Sequence, residues 1–186
     1  MIVILSGVSG AGKDTIKRIL MRKDGRIKTL PSYTTRDKRI NEVEGENYYY
    51  VSKEKFKEMI DNNEFYEYSV HHGNYYGTNK KLLNERIKNN IVLKDIDVNG
   101  TEDLLKIFRG TDIKIISIFL NISKEEMLRR LENRDDKLKQ EEIELRMNRY
   151  DYEMNHIGIY DYVIKNEDAE KTSNIILDII KREQEQ

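Results

Sequence analysis

Gly7-Val8-Ser9-Gly10-Ala11-Gly12-Lys13 spaces glycines and a lysine as G-x-x-x-x-G-K. Glycines let a backbone curl until successive N–H groups point inward, and a helix starting at the end of the loop adds its positive pole. Such a cradle binds phosphate oxygens, and Lys13 would set an ammonium against the outer phosphates of a nucleoside triphosphate. Ser9, Gly10, Ala11, Gly12, Lys13, Asp14 and Thr15 are therefore the candidate triphosphate contacts. The motif usually continues with Ser or Thr, whose hydroxyl binds Mg²⁺; here Asp14 follows, with Thr15 next. A carboxylate is a good hard-oxygen ligand for Mg²⁺, so Asp14 is read as a metal ligand, direct or through water. A glycine-rich turn with a surface lysine is the bland alternative. The strand before the loop and the helix after it argue against that.

The elements that must hold this loop are readable from periodicity. Residues 2–5 form a continuous apolar run, as in a strand buried on both faces. Residues 91–93, 113–120 and 162–164 read the same way. Helical patterns fall at 13–21, 79–88, 99–108, 124–134, 141–155 and 168–182. Ser123 with Glu126 makes a capping-box pattern, and Ile143, Met147, Tyr150 and Met154 recur at helical spacing. This alternation predicts an α/β domain with a parallel sheet. Residues 41–78 differ: tyrosines and β-branched residues surround one short helix at 53–61, which reads as a small mixed insertion. Tyr48-Tyr49-Tyr50 alternates faces on a strand, so Tyr49 and Tyr50 read as structural.

Composition narrows the classes further. A chain of 186 residues is one domain, or one with a small insertion. There is no cysteine, so disulfides and thiolate metal sites are excluded. Lys plus Arg (33) nearly cancel Asp plus Glu (34), which gives no argument for a nucleic acid or membrane partner. No signal-peptide core or spanning segment is readable, and the expectation is a soluble cytoplasmic protein. His71, His72 and His156 have no metal-ligand spacing and read as surface or packing residues.

A series of further motifs then appears in order. Ser32-Tyr33-Thr34-Thr35-Arg36 is followed by Arg39, Glu42-Val43-Glu44-Gly45, Tyr48 and Val51-Ser52. Later come Glu64-Phe65-Tyr66-Glu67, Gly73-Asn74-Tyr75-Tyr76-Gly77-Thr78 and Asp95-Ile96-Asp97-Val98-Asn99-Gly100. With the phosphate loop, this series closely resembles the guanylate kinase family, from the loop to the last strand. The resemblance implies that Arg36, Arg39, Tyr48 and Tyr76 hold the phosphate of GMP. The chemistry agrees, because guanidinium forks bind phosphate oxygens bidentately and phenols donate to them. Guanine offers two donors, N1–H and the 2-amino group, and a carboxylate can accept from both; Glu67 matches that position. Ser32 and Thr78 match positions at O6 and the base edge, and Asp97 matches one in the acceptor pocket. Asp95, at the end of an apolar strand, is expected to organise Mg²⁺. A site built on such hydrogen bonds should reject AMP.

Arg130 and Arg134 share a helix face at i,i+4, and Arg146 lies on the next helix. In the resembling family, arginines at these positions come from a lid that closes on ATP, where they offset the charge of the transferring group. Lys13, Arg36, Arg130, Arg134 and Arg146 are the implied catalytic set. Arg129 and Arg149 read as solvated. Asn166, after the last strand, resembles an adenine-contacting position. Lys38 stands where proline is usual, Asp135-Asp136-Lys137 replaces a glycine-containing lid turn, and the usual proline pair before Ser123 is absent.

The fold expected is a three-layer P-loop α/β domain with a parallel five-stranded core sheet. Its core would comprise 1–31, 79–122 and 156–186, with an acceptor-binding region at 32–78 and a helical lid at 123–155. The reaction expected is ATP-dependent, Mg²⁺-assisted in-line phosphorylation of GMP, and of dGMP, by a monomer or homodimer. Two other readings were weighed: a kinase of this architecture acting on another nucleotide or a phosphorylated sugar, and a non-catalytic guanylate kinase-like module binding a phosphopeptide.

Overall fold

The computed structural model of the chain describes residues 1–40, 42–71, 73–133 and 140–185. In chain order the elements are β1 (Ile2–Gly7), α1 (Lys13–Lys23), β2 (Ile27–Thr29), β3 (Ser32–Thr34), β4 (Tyr48–Tyr50) and α2 (Lys53–Asp61). There follow β5 (Phe65–His71), β6 (Asn74–Asn79), α3 (Lys80–Arg86), β7 (Ile91–Asp95), α4 (Val98–Phe108) and β8 (Ile115–Asn121). The chain closes with α5 (Lys124–Glu132), α6 (Gln140–Asn155), a 3-10 turn (Ile157–Ile159), β9 (Tyr162–Lys165) and α7 (Ala169–Glu185). A parallel five-stranded sheet has the order β2-β7-β1-β8-β9, and a four-stranded sheet the order β4-β3-β6-β5. The expected parallel α/β core is thus present. Arg134, expected at the end of the helix after Ser123, lies outside the described residues, as do Asp135, Asp136 and Lys137.

Two compact units emerge, Met1–Ile2 with Arg26–Ile115, and Val3–Gly25 with Ile116–Gln186. In the first, β3 pairs parallel with β4 and antiparallel with β6, and β6 pairs antiparallel with β5. This mixed sheet packs on α2 through Phe56, Met59 and Phe65, with Tyr33 and Tyr75 against them. Burying side chains of that size contributes about 1.5–3 kcal/mol each. Ser52 caps α2, its hydroxyl accepting from Lys55 N–H at 3.1 Å. Asn79 caps α3 in the same way, and Asp97 caps α4.

In the second unit β8 pairs parallel with β9. Asp161 ties their starts together, its Oδ2 accepting from both the N–H and the hydroxyl of Ser117 at 2.8 Å. Ser123 caps α5 by accepting from Glu126 N–H at 3.2 Å, as its sequence pattern predicts. α1 packs against α7, where Arg22 and Lys23 pair with Glu170. No helix among the described residues is long and apolar enough to cross a membrane.

Candidate active site

The phosphate loop runs directly from β1 into α1. Its glycine at the start of α1, Gly12, has φ of 89°, a left-handed conformation that costs a side chain dearly. A Cβ there would also stand 2.7 Å from Asn166 Nδ2. Lys13 Nζ donates to the carbonyl of Gly7 at 2.7 Å, so the ammonium folds back over the loop. Asp14 lies in the first turn of α1, almost wholly exposed, and pairs with Lys17 at 2.7 Å.

Two of the expected lid arginines reach this loop. Arg130 donates to the carbonyls of Gly10 at 3.1 Å and Asn166 at 3.0 Å, and is oriented by Glu126 at 2.6 Å. Arg146 donates to Ser9 Oγ at 2.9 Å. Glu126 is shared with Arg129, and the guanidinium groups of Arg129 and Arg130 hold its carboxyl down to about 2. Arg149 sits 3.9 Å from Glu153. Asn166 is 3% exposed and donates to Ala11 O at 2.6 Å. Its Oδ1 is buried without a hydrogen-bond partner among the described residues. A cleft of about 320 Å³ opens beside it, lined by Ile122, Ser123, Glu126, Arg130, Lys165, Asn166 and Glu167.

The acceptor residues gather on the mixed sheet. Tyr48 and Tyr76 meet edge to face with ring centroids 5.9 Å apart, and the Arg36 guanidinium lies 5.3 Å from the Tyr48 ring centre. Arg36 also pairs with Glu42 at 2.6 Å. Glu42 accepts from Arg39 N–H at 2.9 Å and from the Tyr50 hydroxyl at 2.8 Å. Burial opposes the charge on Glu42, yet Arg36, Arg39 N–H and Tyr50 together hold its carboxyl down to about 2. Burial and the bond to Glu42 push the Tyr50 phenol up to about 12. The Arg39 side chain itself is exposed. Tyr49 stacks on Tyr33 at 4.9 Å, a packing role as the strand alternation predicts. Tyr50 does more, since it helps to orient the carboxylate that orients Arg36.

Glu67 is 8% exposed, and its Oε1 accepts from the hydroxyl of the fully buried Thr78. Thr78 therefore positions Glu67. Burial pushes the Glu67 carboxyl up, while the Lys94 charge and the Thr78 hydroxyl pull it back down; Asp97 and Asp103 push it up again. Lys94 is 1% exposed and donates to Ser32 Oγ and to Leu30 O. Asp97 accepts from Gly100 N–H at 3.0 Å through Oδ1, and His71 Nε2 stands 2.9 Å from its Oδ2. His71, expected at the surface or in packing, is half-buried, lies against the Tyr76 ring with centroids 5.9 Å apart, and is a partner of Asp97. His72 lies outside the described residues, and His156 Nδ1 sits 2.7 Å from Tyr152 O. Gly100 leaves room for this corner: a Cβ would stand 2.4 Å from Ile96 Cδ1 and 3.2 Å from Glu67 Oε2. Glu42, Tyr50, His71 and Lys94 are the site residues that sequence reasoning missed.

Among the described residues no three His, Cys, Asp or Glu side chains form a metal cage. Mg²⁺ held through one or two carboxylates, water and substrate phosphates needs no cage. Asp14 and, separately, half-buried Asp95 at the end of β7 each carry a carboxylate of the hard-oxygen type that this ion takes.

A phosphate cradle strapped by arginines, in a chain that also carries a buried carboxylate beside an arginine–tyrosine cluster, defines a nucleotide-binding phosphotransferase of the P-loop class. The family model described as guanylate kinase matches residues 1–183, and the chain belongs to the guanylate kinase family. A guanylate kinase of Prochlorococcus marinus subsp. pastoris is 39% identical over 182 residues, covering 97% of this chain and 96% of its own. One from Rickettsia felis is 39% identical over 190 residues, covering 100% and 95%. The crystal structure of guanylate kinase from Anaplasma phagocytophilum superposes with a TM-score of 0.80 at 32% identity, covering 100% of this chain and 87% of that one. The chain is accordingly an enzyme, and the reading as a non-catalytic module is set aside.

Proposed function

We propose that the enzyme transfers the γ-phosphoryl group of ATP to GMP, and to dGMP, giving ADP and the diphosphate by direct in-line displacement. The observation that carries this is the buried carboxylate of Glu67, held by Thr78. An ionised carboxylate accepts from guanine N1–H and the 2-amino group together; adenine and the pyrimidines do not offer that donor pair. Arg36, Arg39, Tyr48 and Tyr76 bind the acceptor phosphate, and Glu42 orients Arg36. Asp97 completes the acceptor pocket beside Ser32. None of the acceptor residues named above is assigned to the 2′-hydroxyl, which is why dGMP joins GMP.

On the donor side the loop amides and Lys13 bind the triphosphate, from Ser9 to Thr15. Arg130, Arg134 and Arg146 supply the positive charge that phosphoryl transfer needs as charge spreads over the equatorial oxygens. The cleft beside Asn166 suits the adenine. Mg²⁺, held by Asp14 and Asp95, supplies charge neutralisation when bound. An acceptor oxygen attacks the γ-phosphorus; the bond from that phosphorus to the β,γ-bridging oxygen breaks, and its electrons leave with ADP. No covalent intermediate on the protein is required, since positioning and electrostatics carry the reaction.

The test is coupled ADP release with GMP, dGMP, AMP, CMP and UMP, with Mg²⁺ and after chelation. Turnover with GMP and dGMP alone, abolished by chelation, is the expected outcome. Comparable turnover with AMP, a pyrimidine monophosphate or a phosphorylated sugar would overturn the assignment.

A further inference from the structure

Lys94 is an anomaly by its own chemistry. It follows the apolar Ile91-Val92-Leu93 of β7 and is 1% exposed, among the largest fully buried side chains. A buried ammonium is destabilising unless paired and hydrogen-bonded. Its partners identify what the charge is for. It donates to Ser32 Oγ and to Leu30 O at 3.3 Å, and its charge favours the ionised form of Glu67. Ser32 and Glu67 are the two residues assigned above to opposite edges of the guanine hydrogen-bonding face, O6 and the N1/N2 donors.

We propose that Lys94 is the specificity-determining positioning residue of the acceptor base. By donating to Ser32 Oγ it commits the serine proton to donation, and it gives the Glu67 carboxylate a buried counter-charge. A hydroxyl has one proton, and an oxygen that accepts from an ammonium becomes a stronger donor. Ser32 so polarised favours a keto oxygen at the purine 6-position and opposes an amino group. A charged Glu67 accepts two hydrogen bonds, whereas a protonated one presents a donor to a donor. One buried charge thereby sets both ends of the base-reading pattern. Asp97, the N-cap of α4, and Asp103 within α4 also act on Glu67, with His71 of β5 on Asp97. The two carboxylates disfavour the Glu67 charge, so Lys94 is the cation that opposes them.

The inference rests on the guanine reading, and the experiment separates the two. Steady-state kinetics are measured for the wild type, Lys94→Met, Glu67→Gln and the double variant, with GMP and AMP, from pH 6 to 8.5. For Lys94→Met, KM for GMP should rise about ten- to hundredfold, the value of one or two charge-assisted hydrogen bonds, with kcat and KM for ATP within about threefold. Its KM for GMP should fall as pH rises, because Glu67 without its counter-charge ionises only at higher pH than in the wild type. In the Glu67→Gln background, adding Lys94→Met should raise KM for GMP by clearly less than it does alone, only the Ser32 share of its effect remaining. Should Lys94→Met not fold, Lys94→Gln keeps a donor without the charge and should show the same pH-dependent KM. Wild-type KM and a flat profile in a folded Lys94 variant, or full additivity with Glu67→Gln, would overturn the role of Lys94 alone. A wild-type enzyme inert toward GMP would overturn the functional reading and this inference with it.

Discussion

At the residue scale the acceptor cluster is organised by charges that neutralise one another before any ligand arrives. Glu42 is the clearest case, receiving Arg36, Arg39 N–H and Tyr50 at once. Its carboxyl sits near 2 when folded against an ordinary 4.5. A depressed carboxyl contributes stability that is complete above its unfolded value and is lost as pH falls through the folded one. Glu42→Gln should therefore cost about 2–3 kcal/mol of unfolding free energy at pH 7. The difference from wild type should shrink between pH 4.5 and pH 2. Urea unfolding across that range measures both. Asp14 offers a second residue-scale test. It is exposed and replaces a hydroxyl ligand, so Asp14→Ser restores a competent donor. Mg²⁺-dependent turnover should stay within about tenfold of wild type; total loss of nucleotide binding would contradict its role as a metal ligand.

At the scale of elements, α5 and α6 present arginines to the phosphate loop. Arg130 spans Gly10 and Asn166, and Arg146 reaches Ser9. Arg130→Ala should lower kcat by at least about a hundredfold, because charge at the transferring group is the main catalytic lever. The same change should loosen ATP binding, read by single-turnover kinetics against an ATP titration. Ser123→Ala removes the α5 cap and should cost about 1 kcal/mol, with kcat for GMP retained at saturating substrate. The cap and the loop were foreseeable because their signals are local, whereas Arg130's reach across 120 positions was expected only from the family resemblance. A capping serine lies three residues from its partner, and the phosphate loop is one contiguous motif. Lys94 and His71 were illegible for the opposite reason. Lys94 meets Ser32 across 62 positions of sequence, and nothing in an apolar run ending in Lys-Asp says that the lysine turns inward. Thr78 shows a subtler gap: nothing in the sequence says that its hydroxyl would bond to Glu67.

At the scale of the whole molecule, the alternation of apolar runs and helical periods was enough to predict the parallel sheet, because strands buried on both faces are continuous in sequence. The mixed sheet was harder. β4 is three residues of tyrosine, and β3 is no longer, so neither carries a periodic signal. β3 takes its register from antiparallel pairing with β6, and β4 takes its own from parallel pairing with β3. That pairing matters because it lines Tyr48 and Tyr76 up with Arg36 and sets Glu67 opposite Thr78 across β5 and β6. The account comes down to that carboxylate as the reader of guanine. The most direct measurement is kcat/KM for GMP in Glu67→Gln, with KM for ATP as the internal control. A fall of about a hundredfold or more, matching two charge-assisted hydrogen bonds, with KM for ATP unchanged, is the result predicted. An unchanged kcat/KM for GMP in the folded variant would contradict it.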